Sequence, residues 1–178
     1  MIIMAESEKA NDKSQNNKDA AQYVIFEIDK EEYGVRLVDL KEIIKILELT
    51  PLPNAPQFFA GVFNLRGKII PVIDLEKRFS LKREAPRISE HILITEQGND
   101  LYGMIVDKVV GTIRISAENI QKPQSIGVFK INESYIDGLA TVEQKGGRLV
   151  IILNIKKILS PEELAELGKQ TQSVNQKS

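Results

Sequence analysis

The residues that could do chemistry in this chain are few, and they stand apart. His91 is the one histidine in 178 residues and there is no cysteine, so thiolate chemistry, disulfides and zinc cages built from cysteine or histidine are ruled out by inventory. His91 opens an apolar run, Ser89-Glu90-His91-Ile92-Leu93-Ile94, with no serine and carboxylate placed around it to make a triad. Asp29, Glu31 and Glu32 sit together in a turn, where acids collect for solvation, and they lack the spacing and the glycine of a calcium loop. Gly61, Gly67, Gly146 and Gly147 match neither the phosphate-loop spacing nor the dinucleotide pattern. Arg66 remains: it stands beside Gly67 at a tight turn, which lifts a guanidinium off a rigid support.

The surrounding composition narrows the partners. The formal charge is −1, with 24 basic and 25 acidic residues interspersed along the chain, so nothing forms the basic face that nucleic acid requires. The start, Met1-Ile2-Ile3-Met4 followed by Glu6, Glu8 and Asp12, is neither a signal peptide nor an anchor. The longest apolar run, 149–153, is far too short to cross a bilayer. These features fit a reducing, cytoplasmic setting with no direct membrane insertion, no cofactor and no metal.

The elements that must position Arg66 are mostly strands. Residues 1–20 read as a polar tail. Period-two patterning predicts strands over 23–28, 33–37, 61–65, 68–73, 91–96, 101–106, 135–142 and 148–154, with hairpin turns at 29–32, 65–68, 97–100 and 145–147. Short helices are predicted over 38–44, 74–79 and 154–159. A C-terminal helix starts at Ser160-Pro161-Glu162-Glu163, Gly168 is its expected stop, and a polar tail begins at 171. The chain also repeats itself: Gly67-Lys68-Ile69-Ile70-Pro71-Val72-Ile73-Asp74-Leu75-Glu76-Lys77 lies without a gap on Gly147-Arg148-Leu149-Val150-Ile151-Ile152-Leu153-Asn154-Ile155-Lys156-Lys157. Tyr33-Gly34-Val35 precedes the first copy and Tyr102-Gly103-Met104 the second. Either strand and cap rules produced this match or the chain holds two similar small barrels, whose closure would remove exposed sheet edges.

The richest stretch is Leu52-Pro53-Asn54-Ala55-Pro56, then Gly61-Val62-Phe63-Asn64-Leu65-Arg66-Gly67 and Ile70-Pro71-Val72-Ile73-Asp74-Leu75. Together with Val38-Asp39-Leu40-Lys41-Glu42-Ile43, Val106-Asp107-Lys108-Val109 and the repeat from Arg148, it resembles the CheW family of bacterial chemotaxis coupling proteins, in the family's order and over about residues 20 to 160. The resemblance implies a mainly β fold of two similar five-stranded SH3-like barrels packed side by side, with short helices and a C-terminal helix. The first barrel is expected over about 30–85 and the second over about 86–155, with exchange of an N-terminal strand left open, and a short helix and tail over 161–178.

It also implies a non-catalytic adaptor that joins the cytoplasmic tip of methyl-accepting chemoreceptors to the regulatory domain of the histidine kinase CheA, recruited to receptor arrays. The family's receptor contacts fall on Arg66, Gly61, Glu42 and Leu40, with Val62 and Ile43 as apolar neighbours; Asn64, Leu65 and Gly67 shape the turn, and Ile43, Val62 and Leu65 are alternatively core. The loop holding Ile126, Val128 and Phe129 is either the kinase anchor or a folded-back plug of the second barrel. Two alternatives stand beside this: a module of a CheV-type or CheA regulatory protein, and a ligand-binding barrel or enzyme with an unfamiliar pocket. A receiver domain of the CheV kind is not expected beyond Leu159.

Overall fold

The structure is a computed structural model and describes residues 19–83, 86–87, 89–125, 129–143 and 146–175. Among the described residues, eleven strands make two sheets. They are β1 (Ala20–Ile28), β2 (Glu31–Arg36), β3 (Leu40–Lys45), β4 (Phe59–Leu65), β5 (Lys68–Asp74), β6 (His91–Gln97), β7 (Asp100–Val106), β8 (Lys108–Ser116), β9 (Ile120–Gln121), β10 (Ile136–Val142) and β11 (Arg148–Leu153). The first sheet runs β3-β6-β7-β5-β4 and the second β8-β1-β2-β11-β10-β9. These are the two SH3-like barrels. Helices α1 (Leu75–Arg78) and α2 (Ile155–Ile158) come directly after β5 and β11, and α3 (Pro161–Asn175) ends the described chain.

The sheets do not respect the halves of the chain. Hairpin β1–β2 joins the second sheet and hairpin β6–β7 joins the first, so a boundary near 85 separates no barrel from the other, and the expected spans of 30–85 and 86–155 are corrected accordingly. The exchange is reciprocal and in equivalent register: Val72 faces Gly103 in one parallel pair, and Ile152 faces Gly34 in the other. Both glycines are needed for close packing. A Cβ on Gly103 would lie 2.6 Å from Ile92 Cγ2, and one on Gly34 would lie 3.0 Å from Ile152 Cδ1. The sequence repeat is therefore a repeat of structure, down to the caps: Asp74 accepts from the Glu76 and Lys77 amides, and Asn154 from the Lys156 amide, satisfying donors that a short helix leaves open.

Three apolar clusters result. Tyr23, Ile25, Ile152 and their neighbours fill the second barrel, and Phe63, Ile70, Ile92 and Ile94 fill the first. The third and largest lies between the barrels and draws on both, with Val24, Phe26, Tyr33, Ile73, Leu93, Tyr102, Leu153 and Ile158. Successive residues of β1 and β6 thus bury opposite faces in different cores, which explains why these strands read as continuous apolar runs rather than as alternating ones. Polar links reinforce the join: Arg83 pairs with Glu76 and Asp107, whose Oδ2 accepts the Asp29 amide at 2.8 Å.

Two predicted elements are corrected, and strands β8 and β9 lie outside those predicted. The helix expected over 38–44 is a 3-10 turn, Leu37–Asp39, leading into strand β3. Its burial alternates along Leu40–Lys45, and pairing with β6, helped by the Thr95 hydroxyl donating to the Asp39 carbonyl at 2.5 Å, outweighs local helix propensity. Strand β8 carries an alternating pattern that fell outside the predicted strands. Helix α3 runs through Gly168 to Asn175. Its start is a capping box, with the Glu163 amide donating to Ser160 Oγ at 3.2 Å and the Ser160 amide to Glu163 Oε2 at 2.8 Å. A bidentate pair from Arg78 to Glu163 then ties the helix to the barrels, so one interior glycine, costing about 1 kcal/mol, does not end it.

Burial pushes the phenols of Tyr33 and Tyr102 well above the ordinary tyrosine range; the Glu31 carboxylate adds to the shift at Tyr33. A raised acid in the folded state contributes stability that is complete below its unfolded pKa, about 10 for tyrosine, and lost as pH rises beyond it. Urea midpoints are therefore expected to hold from neutrality to about pH 9.5 and to fall above about pH 10. The fall should be shallower in Tyr33→Phe with Tyr102→Phe. Folded-state absorbance showing both phenols ionising near the ordinary value would contradict this.

Candidate functional site

The turn between β4 and β5 has two central residues, Arg66 at φ 51° and Gly67 at φ 86°. Two left-handed residues match the right-handed twist of a two-residue hairpin. Glycine adopts that conformation freely, whereas an arginine there costs about 1–2 kcal/mol. Asn64 compensates by accepting the Gly67 amide on its Oδ1 at 2.9 Å. The strain has a consequence: it aims the guanidinium across the seam of the barrel.

On the far side of that seam stands Glu42. Arg66 Nη1 donates to Glu42 Oε2 and Nη2 to Oε1, each at 2.9 Å, a planar fork on a carboxylate. Glu42 lies on β3 and Arg66 comes just after β4, the two outer strands of the first sheet, so the pair spans the barrel's opening. The Arg66 side chain is 72% exposed and that of Glu42 32%. The hydrogen bonds from Arg66 hold the Glu42 carboxyl below the usual carboxylate range, and the carboxylate in turn raises Arg66. Both groups are charged at neutral pH, and the pair presents its outer donors to solvent.

The remaining site residues divide. Ile43, beside Glu42, is exposed, and Val38, Ile46 and Leu47, which flank β3, are exposed too; the last three were not among the site residues expected from the sequence. Leu40 is half-buried against the core between the barrels. Leu65 is half-buried and Asn64 exposed at the turn. Val62 is only 2% exposed and belongs to that core, so it supports the surface from beneath and is not itself on it. Gly61 is likewise internal: a Cβ there would lie 2.7 Å from the Thr50 carbonyl oxygen, and its φ of 146° disfavours other residues. That close approach lets Thr50 exchange two 2.8 Å backbone hydrogen bonds with Val62, which closes the barrel.

Among the described residues the second barrel lacks such a pair. The residue facing Ile25 where Glu42 faces Ile94 is Gly111, and residues 143–147 join the strands in place of the two-residue turn. Of the kinase-anchor loop, Phe129 is half-buried against the shared core, and Ile126 and Val128 lie outside the described residues. His91 Nδ1 lies 3.2 Å from the Ser89 carbonyl oxygen. The turn acids disperse, Glu31 to Lys130 and Glu32 to Arg148. Among the described residues no three His, Asp or Glu side chains converge as a metal site, and no helix is long and apolar enough to cross a membrane.

Paired SH3-like barrels with exchanged hairpins, carrying one forked ion pair across one seam, define the class of protein. The family model described as the CheW-like domain matches residues 22–163, and the chain belongs to that family. It is 34% identical to a chemotaxis protein CheW of Treponema pallidum, over 85% of this chain and 89% of the relative. It is 33% identical to that of Klebsiella aerogenes, over 81% and 84%. The crystal structure of a CheW scaffolding protein from Thermoanaerobacter tengcongensis superposes with a TM-score of 0.71 at 33% identity, covering 79% of this chain and 88% of the other.

Gly61→Ala is expected to lower stability by about 1–3 kcal/mol, the range for strain at a crowded backbone position, read as a lower urea midpoint. Arg66→Ala should leave the midpoint where it is, because exposed pairs add little. Equal midpoints for Gly61→Ala and the parent would show that Gly61 is not held by Thr50.

Proposed function

We propose that this chain is a non-catalytic chemotaxis adaptor that couples methyl-accepting chemoreceptors to the histidine kinase CheA. The relatives' names support the chemotaxis role and the solved neighbour's name the scaffold role. The observation that carries the receptor assignment is the forked Arg66–Glu42 pair, held in the open beside Ile43 and Val38.

A helical receptor tip has polar side chains and carbonyls to meet the outer donors of Arg66, and apolar side chains to cover Ile43 and Val38. Apolar cover with a few oriented polar contacts is the usual composition of a specific interface. The pair is formed before binding, so little side-chain entropy is lost on contact. The regulatory domain of CheA is the second partner, with Phe129 as one contact. The adaptor acts by geometry: a receptor whose two conformations meet this surface with different affinity shifts the bound kinase between states by that difference and no more. Its place is the cytoplasm, at receptor arrays.

Titration of a purified receptor-tip fragment into the chain tests the receptor assignment. Arg66→Ala and Glu42→Ala are expected to weaken binding by about tenfold or more, the loss typical of a central interface residue, at unchanged melting temperature. Arg66→Glu with Glu42→Arg rebuilds the internal pair with its charges exchanged and should stay weak. Full affinity in the exchanged variant would reduce the pair to a clamp of the barrel.

A further inference from the structure

Strand β3 meets β6 with one residue too many. Leu40 faces Thr95 and Glu42 faces Ile94, so two steps along β3 match one along β6, and Lys41 is the extra residue of a β-bulge. The bulge decides which way the site points. Leu40, Glu42 and Ile44 would share one face of a regular strand, yet Leu40 packs on the core between the barrels whereas Ile44 packs with Ile92 and Ile94 in the first barrel. The change of face falls between Leu40 and Glu42, and it turns the Glu42 carboxylate to the side of Ile94, where Arg66 meets it. A regular ladder continued from Leu40 would put Lys41 opposite Ile94 and turn Glu42 to the other face, away from Arg66.

One polar side chain holds the ladder at this point. Thr95 is 1% exposed, and its hydroxyl donates to the Asp39 carbonyl at 2.5 Å, tying the last residue of the 3-10 turn to the same β6 position that Leu40 faces. A bulge leaves its extra residue without a ladder partner, so a bond directly upstream of it limits slippage. The exposed pair Lys41–Glu96, at 2.6 Å, adds little. The second barrel supplies the comparison: β8 carries the same bulge, with Val109 facing Phe26, Gly111 facing Ile25 and Val110 extra, and Phe26 stands where the first barrel has Thr95. A buried hydroxyl costs free energy unless it is bonded, and it occurs in the copy whose bulge ends in Glu42. We propose that Thr95 is a positioning residue for the receptor surface, its hydroxyl fixing the bulge so that Glu42 and not Lys41 faces Arg66. The receptor's part in this rests on the proposed function, whereas the positioning is measurable on the chain alone.

The Glu42 carboxyl, followed by carbon-detected NMR during an acid titration of the intact chain, reads the pair directly. In the parent the hydrogen bonds from Arg66 hold it below the usual carboxylate range, and Arg66→Ala marks the unpaired value, about 4.3 for glutamate. Thr95→Val, the same shape without the hydroxyl, is expected to bring Glu42 to that unpaired value, and Thr95→Ser to return it to the parent's. Ile152→Val, in the core of the second barrel, should lower the melting temperature and leave Glu42 unmoved, which separates positioning from a general loss of stability. Thr95→Ala takes the place of Thr95→Val if the latter does not fold. Binding of the receptor-tip fragment should weaken in Thr95→Val by about tenfold or more, as in Arg66→Ala. Glu42 titrating in Thr95→Val as in the parent, or staying at the unpaired value in Thr95→Ser, overturns the proposal whatever the affinity. A moved carboxyl with unchanged affinity upholds the positioning and overturns the receptor reading instead.

Discussion

Each barrel of this protein is completed by a hairpin from the other half of the chain, and the shared core that this exchange leaves between them fixes every surface described above. The largest apolar cluster belongs to neither barrel alone. Separating the barrels would expose Phe26, Tyr33, Leu93 and Tyr102 together, and at about 1.5–3 kcal/mol for each large apolar side chain such a loss approaches the whole stability of a domain of this size. The two barrels are accordingly one rigid body in energetic terms. A scaffold that transmits conformation through geometry requires that rigidity, because a soft joint would absorb the small differences in affinity that couple its partners.

The proposed receptor seam lies at a point where the two copies differ. The repeat preserves the Tyr-Gly strands, the parallel seams and the caps of α1 and α2, which are matters of folding. Glu42 has its counterpart in Gly111, and the strained Arg66-Gly67 turn has its counterpart in residues 143–147. The forked pair thus sits at one place in an otherwise repeated frame, and a partner that reads it has a unique orientation.

Most of the fold was legible in local pattern. Turn residues, caps and period-two runs marked eight of the eleven described strands and the two short helices, because those signals act within a few residues. The misreadings lie where distant contacts decide. Val38 to Ile44 has helical spacing, and only pairing with β6 makes it a strand. The hairpin exchange leaves no local trace, since β1 and β6 have similar patterns and either could complete either barrel. Gly168 is a stop by propensity, and Arg78 with Glu163 overrides it from outside the helix. At the site, Arg66 was singled out by its place beside a turn glycine, whereas Glu42 was pointed to by the family resemblance alone. Gly61 was placed among the receptor contacts and Val62 left between apolar neighbour and core; Thr50 and the shared core hold both inside, a contact between residues that no periodicity reports.

The central claim is that a receptor hairpin meets the first barrel at the seam spanned by Arg66 and Glu42. Isoleucine-methyl spectra of the intact chain, recorded while a receptor-tip fragment is added, address it directly. The account predicts that Ile43 shifts strongly and Ile44 more weakly, while Ile113 and Ile115, on the equivalent strand of the second barrel, and Ile152 in that barrel's interior stay in place. Saturating binding that moves the second-barrel methyls and leaves Ile43 unmoved would contradict it.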